Sequence, residues 1–510
     1  MSSITTKAPE REFPDRSNPI FVKELRSALR GRYFRILFPL TLLLAVLIAV
    51  LVIVDTNEWN QDRMGRNLFQ AMFGCLLAAV TGLVPFSAFL SMANEWDENT
   101  YDLLVLSKLK PLQVAVGKLL SAGIEALLYF SAFTPLLVFS FLLRGVDITS
   151  VLVLVGGAMV MGASTCAIAL LFSSLGKHRL VRVLLMAVLA GVLLLANIAA
   201  NAYADSHLGD APTMSTVEEW QVLALTYFLV ALPGILALAA AASGLAHAEE
   251  NASTAPRVLV TGLAFGLLAI AAWTQFVAPS RLLPMIVGMF GITGIALCDL
   301  FFVTEAEPLS RRVRLFVPAG RLRAALASPF LPGGGRGFLL FLLHAAICIA
   351  FVSALSLLRG GAGTHRFTAG NLVLCVTTYS AFLVVYLGLP SLLFSARSRD
   401  ARARILARVL IPIGALLSVF LPSLVGFLIE NRDWMNLRHP FNPVWVAIES
   451  GIEGEDALHW AVLALVVAGV VIALNAFRIV RGVSEAAAAG AERERTERVT
   501  SVPRGAADAA

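Results

Sequence analysis

A run of acidic side chains between two long apolar stretches is the first group of residues that could do chemistry. Glu95, Asp97, Glu98 and Asp102 precede a short apolar stretch, a proline break at Pro111 and a second apolar stretch. Such a segment is too polar to cross a bilayer and too apolar to float free in water. We predict that it lies at the membrane surface or against a partner.

Motifs for hydrolytic or nucleotide chemistry are absent from the sequence. The chain contains no Gly-x-x-x-x-Gly-Lys-Ser/Thr phosphate loop, no His-Glu-x-x-His zinc motif and no Gly-x-Ser-x-Gly nucleophile motif. Of the seven histidines, His344 and His459 lie near the interiors of predicted spans, and neither has a neighbour at metal-ligand spacing. We therefore predict neither an enzyme nor a metal site.

The five cysteines all lie inside apolar stretches, and no two of them stand at Cys-x-x-Cys spacing. They are Cys75, Cys166, Cys298, Cys348 and Cys375. Isolated cysteines in apolar stretches are typical of small packing residues, so we predict no disulfide.

Two acidic residues, Glu125 and Asp299, fall within predicted membrane spans. A charge inside a membrane is a functional candidate by default because it is expensive to bury there. Each lies near the predicted cytoplasmic end of its span, where a side chain can also reach water. A transport role and simple solvation at the membrane surface both stay open.

The composition indicates that the chain is a polytopic membrane protein. Its residues are 58% hydrophobic and 15% charged, and its mean hydropathy is +0.79. The apolar residues form runs close to the ~20 residues that cross a bilayer core, and backbone in lipid must bond within its own helix. We predict an all-α protein with about twelve spans: 36–54, 68–93, 119–143, 151–175, 180–203, 222–246, 258–277, 282–303, 338–358, 372–394, 405–429 and 457–477.

The distribution of basic residues predicts the orientation of these spans. With the N-terminus in the cytoplasm, only eight of the 40 Lys and Arg residues fall in outer gaps. These are Arg63, Arg66, Arg144, Arg281, Arg359, Arg366, Arg432 and Arg438. This bias follows the positive-inside rule and predicts that both termini are cytoplasmic. The net charge of +6 is therefore explained by topology, and we expect no nucleic-acid partner.

An internal repeat predicts two halves of six helices. The sequence Leu-Leu-Phe-Ser at 170–173 recurs at 392–395, and each copy ends a span before a basic loop. We predict a cytoplasmic N-terminal segment (1–35), two membrane halves (36–246 and 247–480) and a flexible cytoplasmic tail (481–510). The N-terminal segment contains an amphipathic helix in which Phe21, Leu25 and Leu29 share one face.

These segments resemble the ABC-2 family of ABC-transporter permeases, over roughly residues 18 to 200. Members open with Asn-Pro and an amphipathic helix, as Asn18-Pro19 does here, and carry an acidic stretch after their second span. The residues that match the family pattern in order are Glu95, Asp97, Thr100, Asp102, Leu103, Leu104, Ser107, Gly117, Lys118, Leu119 and Leu120. The chain departs from the pattern at Trp96, Asn99 and Lys108, where Arg, Gly and Pro are usual.

The resemblance implies a membrane subunit of a type-2 exporter in a bacterial plasma (inner) membrane. It implies a separate cytosolic ATPase subunit that binds ATP and Mg²⁺, so that this chain holds no cofactor. It further implies that the segment 95–118 couples the ATPase to the spans. The residues implied in coupling are Glu95, Asp97, Glu98, Thr100, Asp102, Leu103, Leu104 and Lys118.

Two alternatives to an exporter subunit stay open, and so does the stoichiometry. The chain could be an intramembrane enzyme acting on lipid-linked substrates, with Asp433, Arg438, His439 and Glu449 as polar residues of its largest outer gap. It could also be a scaffold that transports nothing. As an exporter, it would act either as two fused halves in one chain or as a homodimer. The transported substrate does not follow from the sequence.

Overall fold

The structure is a computed structural model. The structure describes residues 19–55, 61–98, 111–143, 146–175, 179–209, 217–245, 251, 253–277, 283–358, 369–395, 401–430, 438–453 and 457–501. Helices account for 92% of the structure, and the described residues include no strand. The chain divides into two compact units, residues 1–246 and 247–510.

The first unit is a set of long helices preceded by one short helix. Gly31 separates the short helix α1 from α2. The bounds are α1 Pro19–Arg30, α2 Arg32–Asp55, α3 Gln61–Ala78, α4 Val84–Asp97, α5 Pro111–Leu142, α6 Ile148–Leu175, α7 Arg179–Gly209 and α8 Val217–Leu245. A π-helical turn, Ala79–Leu83, joins α3 to α4, so the two cross the predicted membrane as one span.

The second unit combines long helices with a compact connecting segment. Its helices are α9 Thr254–Val277, α10 Leu283–Val303, α11 Arg311–Arg314, α12 Arg321–Ala327, α13 Gly334–Leu358, α14 Ala369–Ser395, α15 Ala401–Glu430, α16 Pro443–Ile448 and α17 Leu458–Ser501. The connecting segment, residues 305–333, contains α11, α12 and a 3₁₀ turn at Ser328–Phe330. The Ser310 hydroxyl caps α11 by accepting a hydrogen bond from the Val313 amide.

Ten helices in the described residues are long and apolar enough to cross a membrane. The apolar stretches of two further helices are shorter, Val287–Val303 within α10 and Leu406–Pro422 within α15. The ten helices confirm an all-α, multi-pass membrane protein, because each satisfies its backbone within itself. The count of twelve spans and the cytoplasmic placement of both termini stay predictions.

Each unit has its own apolar core. In the first unit, Phe69, Met72, Leu76 and Phe133 are fully or almost fully buried between α3 and α5. In the second unit, the core lies between α10, α13 and α14. Apolar side chains such as those of α2 remain exposed over much of their surface, which suits contact with lipid.

The predicted flexible tail differs from the structure over residues 481–501. Here α17 continues without a break to Ser501. Ala486 and Ala489 are buried against Val313, Val317 and Ala324 of the connecting segment. The small side chains of the Ala-rich stretch allow this close approach, so the same residues that suggested a solvated tail form a packing surface.

Candidate functional site: charged clusters at the helix ends

In the first unit, Lys118 lies at the centre of a buried charged cluster, which we call the lysine cluster. Its ammonium is 3.0 Å from Glu24 Oε1 and 3.2 Å from Glu95 Oε1, and it donates to Ser91 Oγ at 2.9 Å. The Ser91 hydroxyl donates in turn to Glu24 Oε2 at 2.7 Å. The Lys118 side chain is only 2% exposed, so its charge is balanced within the protein.

Helical spacing explains why these residues meet. Ser91 and Glu95 are four residues apart on α4 and therefore share one face. Glu24 lies at the edge of the apolar face of α1, which packs against α5, the helix that carries Lys118. Lys23, whose side chain is 57% exposed, reaches Glu95 from the outer side at 3.3 Å. One buried lysine thus joins α1, α4 and α5.

Two opposing effects act on the Glu24 carboxyl. Burial raises its pKa, but Lys118, the Ser91 hydroxyl and Lys23 together outweigh that effect. The pKa of Glu24 therefore lies below its ordinary value, and the carboxylate stays charged within the cluster.

The end of α4 is held by a second basic residue. Arg182 on α7 donates to the Ala93 carbonyl at 2.8 Å and forms an ion pair with Asp97. The Asp97 side chain remains 60% exposed, and Glu98 directly after it is also exposed. Asp97 and Glu98 therefore present negative charge outward, whereas Glu95 points inward.

The predicted coupling residues thus divide into three groups. Glu95 and Lys118 meet in the lysine cluster, while Asp97 and Glu98 lie at the exposed end of α4. Thr100, Asp102, Leu103 and Leu104 lie outside the described residues. The sequence analysis missed Glu24, Ser91 and Arg182. An acidic residue at the edge of the apolar face of α1 was the available signal for Glu24.

The intramembrane acid Glu125 has a local partner. It is 5% exposed and accepts a hydrogen bond from the Ser87 hydroxyl of α4 at 3.0 Å. Glu125 is seven residues, or two helical turns, beyond Lys118 on α5. It therefore extends the polar contact between α4 and α5 deeper along the span.

The other intramembrane acid, Asp299, pairs with a histidine that the sequence analysis set aside. Asp299 Oδ2 lies 2.9 Å from His344 Nδ1, and His344 Nε2 lies 2.9 Å from Thr261 Oγ1. Asp299 is fully buried and His344 is 3% exposed. The three residues come from α10, α13 and α9, so they link three helices of the second unit. Their separation in sequence explains why spacing rules did not detect them.

In the second unit, two arginines at the starts of helices and a third midway along α17 form a group that we call the arginine cluster. Arg257 is fully buried at the start of α9 and donates to the Glu305 carboxylate at 2.7 Å. It also donates to the carbonyls of Pro329 and Gly333. Gly333 has a φ of 135°, a backbone conformation that favours glycine, and its amide donates to the same Glu305 carboxylate.

Arg336 and Arg478 complete the arginine cluster. Arg336, fully buried at the start of α13, donates to the carbonyls of Pro332, Glu307 and Gly482. Arg478 on α17 forms two hydrogen bonds to Glu307 Oε1, at 2.9 and 2.7 Å. The arginines therefore fasten the connecting segment to the starts of α9 and α13 and to the middle of α17.

An apolar cavity of about 200 Å³ lies within the first unit. Its lining includes Phe73, Leu77, Met161, Tyr203 and Tyr227. The Tyr227 hydroxyl donates to the Val153 carbonyl, so the polar group of this side chain is satisfied within the protein. The cavity therefore suits a hydrocarbon group better than a charged one.

The described residues contain no group of His, Cys, Asp or Glu side chains that could hold a metal ion. Comparison with protein-family models, curated proteins and solved structures finds no match to the chain.

Proposed function

We propose that this chain is the membrane-spanning permease subunit of an ABC-type exporter, driven by a separate ATP-binding subunit. The observation that carries the proposal is the buried contact of Lys118 with both Glu24 and Glu95. It joins the surface helix α1 to the two helices that flank residues 99–110. That segment carries five of the eleven residues that match the ABC-2 pattern, and the other six lie directly before and after it.

The lysine cluster supports the proposal because it gives a mechanical route into the spans. A partner that moves residues 99–110 acts on the end of α4 and the start of α5. Lys118 and Glu95 hold those two ends together, and the contact of Glu24 with Lys118 connects α1 to them. Because the charged groups are buried, separating them is strongly unfavourable, so displacement at the surface passes to the helices.

The ATP-binding partner supplies the chemistry in this proposal. ATP and Mg²⁺ bind to that subunit, and this chain contributes the substrate pathway, in a bacterial plasma membrane. The exposed carboxylates of Asp97 and Glu98 suit a docking role for a basic surface. Glu95 acts by positioning the helix ends, because its side chain is buried and paired with Lys118.

The test uses the tagged chain, extracted from the membranes of its native host in mild detergent. We expect an ATP-binding subunit to co-purify and to hydrolyse ATP, whereas the chain purified alone should have no ATPase activity. Glu98→Lys should reduce co-purification, with a larger effect at low salt, where exposed charges are less screened. Glu219→Lys makes the same charge change at the start of α8, the opposite end of the helices by the predicted topology, and should leave co-purification unchanged.

Lys118→Met separates docking from coupling. We expect the ATP-binding subunit to remain bound to this variant, but the rate of ATP hydrolysis should fall toward that of the free subunit. Absence of any ATP-binding subunit from the wild-type complex would overturn the proposal. Turnover of a lipid-linked substrate by the chain alone would favour the intramembrane enzyme instead.

A further inference from the structure

The hydrogen bonds around His344 determine where its protons lie. The Thr261 hydroxyl carries a single hydrogen, and a carbonyl oxygen can only accept. Thr261 Oγ1 lies 2.9 Å from the Arg257 carbonyl, one turn earlier on α9, and donates to it. The contact between Thr261 Oγ1 and His344 Nε2 then requires that Nε2 carries a hydrogen and donates it to Thr261.

The second contact of His344 requires another proton. Nδ1 and Asp299 Oδ2 are 2.9 Å apart, which is a hydrogen-bond distance. Either Nδ1 carries a hydrogen and donates to the carboxylate, or the carboxyl group carries it and donates to Nδ1. In both arrangements, the pair holds one proton more than an aspartate beside a neutral imidazole.

We infer that Asp299 and His344 together bind one proton inside the membrane-spanning region. The resulting pair is electrically neutral, whether it is an imidazolium with a carboxylate or an imidazole with a carboxylic acid. Loss of the proton would leave a net negative charge on Asp299, which is fully buried. An uncompensated charge at such a site is strongly unfavourable, so the neutral pair is the stable state.

The surroundings of the pair support the neutral state. Asp299 Oδ1 has no hydrogen-bond partner among the described residues, so no donor there stabilises a carboxylate. The Arg257 guanidinium, on the same helix as Thr261, is already ion-paired with Glu305 at 2.7 Å. The other titratable or charged side chains on α10, α13 and α14 are Cys298, Arg336, Cys348, Cys375, Tyr379 and Tyr386.

Burial separates the pair from bulk water, since Asp299 is fully buried and His344 is 3% exposed. His344 is ten residues from the start of α13, or about 15 Å along the helix axis. The ring borders an apolar cavity lined by Ala264, Leu268, Ile295 and Cys348.

The first experiment is histidine ¹⁵N NMR on the full chain in lipid nanodiscs at neutral pH. The His344 signal is assigned by its absence from His344→Gln. We expect Nε2 to carry a hydrogen. A hydrogen on Nδ1 alone, with Nε2 as an acceptor, would overturn the inference, because the pair would then hold no extra proton.

The second experiment measures thermal stability of the same protein between about pH 5 and pH 9, across the ordinary range of histidine titration. Above the ordinary pKa of an unfolded histidine, about 6.5, the folded state holds one more proton than the unfolded state. The ratio of folded to unfolded protein should therefore fall up to tenfold per pH unit, until the pair releases its proton. A stability that does not fall with rising pH would contradict the inference.

Asp299→Asn is the matched variant for this experiment. Its amide can donate to Nδ1 as a carboxylic acid does, so the hydrogen bonds are kept while the extra proton is not needed. The variant should lose the alkaline decline and become less stable in acid, because only its unfolded histidine then binds a proton. His459→Gln, at an exposed histidine, should leave the wild-type profile unchanged.

Discussion

The two units fasten their helix ends with different cations. In the first unit, one lysine serves two carboxylates and a hydroxyl on two other helices. In the second unit, three arginines bind carboxylates, and Arg257 and Arg336 also bind backbone carbonyls of the connecting segment. A guanidinium presents its donors in a fixed plane, whereas an ammonium is a compact charge on a flexible stem. The arginine cluster therefore specifies positions, and the lysine cluster mainly holds helices together.

This difference matters for how each unit could move. Rotation about the bonds of Lys118 keeps its charge near Glu24 and Glu95 while the helices shift slightly. Arg336 has no such freedom, because its donors meet carbonyls from Pro332, Glu307 and Gly482 in different directions. The lysine cluster thus permits adjustment next to the predicted coupling segment, while the arginine cluster holds its segment in one arrangement.

The largest effect on stability is expected from substitution of Arg257. Arg257→Met leaves Glu305 without its buried partner and two carbonyls without donors, and should destabilise the protein by about 3–5 kcal/mol. Arg257→Lys keeps the charge but cannot reach Pro329, Gly333 and Glu305 together, so it should recover only part of that loss. Thermal unfolding in detergent measures both. Wild-type stability of Arg257→Lys would show that charge alone is sufficient.

A smaller effect is expected where the connecting segment meets α17. A Cβ at Gly490 would lie 2.4 Å from Ala324 Cβ and 2.8 Å from the Gly320 carbonyl. Gly490→Ala should therefore displace the segment and cost about 1–3 kcal/mol, as overpacking usually does. Faster proteolysis or hydrogen exchange within residues 305–333 would report the displacement. Gly469 lies on the same helix with open space around it, so in Gly469→Ala residues 305–333 should stay protected from proteolysis and hydrogen exchange.

The smallest effect concerns the lysine cluster and acidic pH. Since the pKa of Glu24 is lowered in the folded protein, its contribution to stability is full above the ordinary carboxyl pKa. It should be lost as pH falls through the lowered value. Glu24→Gln should reduce this acid sensitivity while changing stability less at neutral pH than removal of Lys118. Unfolding midpoints measured from pH 7 down to about pH 3 show how stability depends on pH in the wild type and in the variant. An acid profile of Glu24→Gln identical to that of the wild type would argue against a charged Glu24.

Sequence reasoning predicted the membrane helices well because apolar runs of sufficient length have few alternatives in a bilayer. It singled out Glu125 and Asp299 because a charge inside an apolar span is conspicuous, and Glu95 and Lys118 because they match the family pattern. It did not pair them, because Glu24 and Lys118, or Asp299 and His344, meet only through helix packing. Residue spacing within one helix carries no information about such contacts.

At the Ala-rich end of the chain, the sequence indicated less packing than the structure shows. Low hydrophobicity and alternating charge at residues 485–497 are typical of a solvated tail. The packing of Ala486 and Ala489 depends on a complementary surface about 170 residues earlier in the chain, between Leu309 and Leu331. Small residues permit close approach, but sequence alone does not name the surface that approaches.

The uninterrupted course of α17 has a geometric consequence. Its 44 residues give a rod about 66 Å long, roughly twice the thickness of a bilayer core. A rod that pivots by about 10° within the membrane displaces a point about 30 Å from the pivot by roughly 5 Å. Gly320 donates to the Gly490 carbonyl and Arg493 to the Val317 carbonyl, so the far part of this rod is bonded to the connecting segment, which the arginine cluster also ties to α9 and α13. A tilt of the last span would therefore have to move or strain that segment by several ångströms.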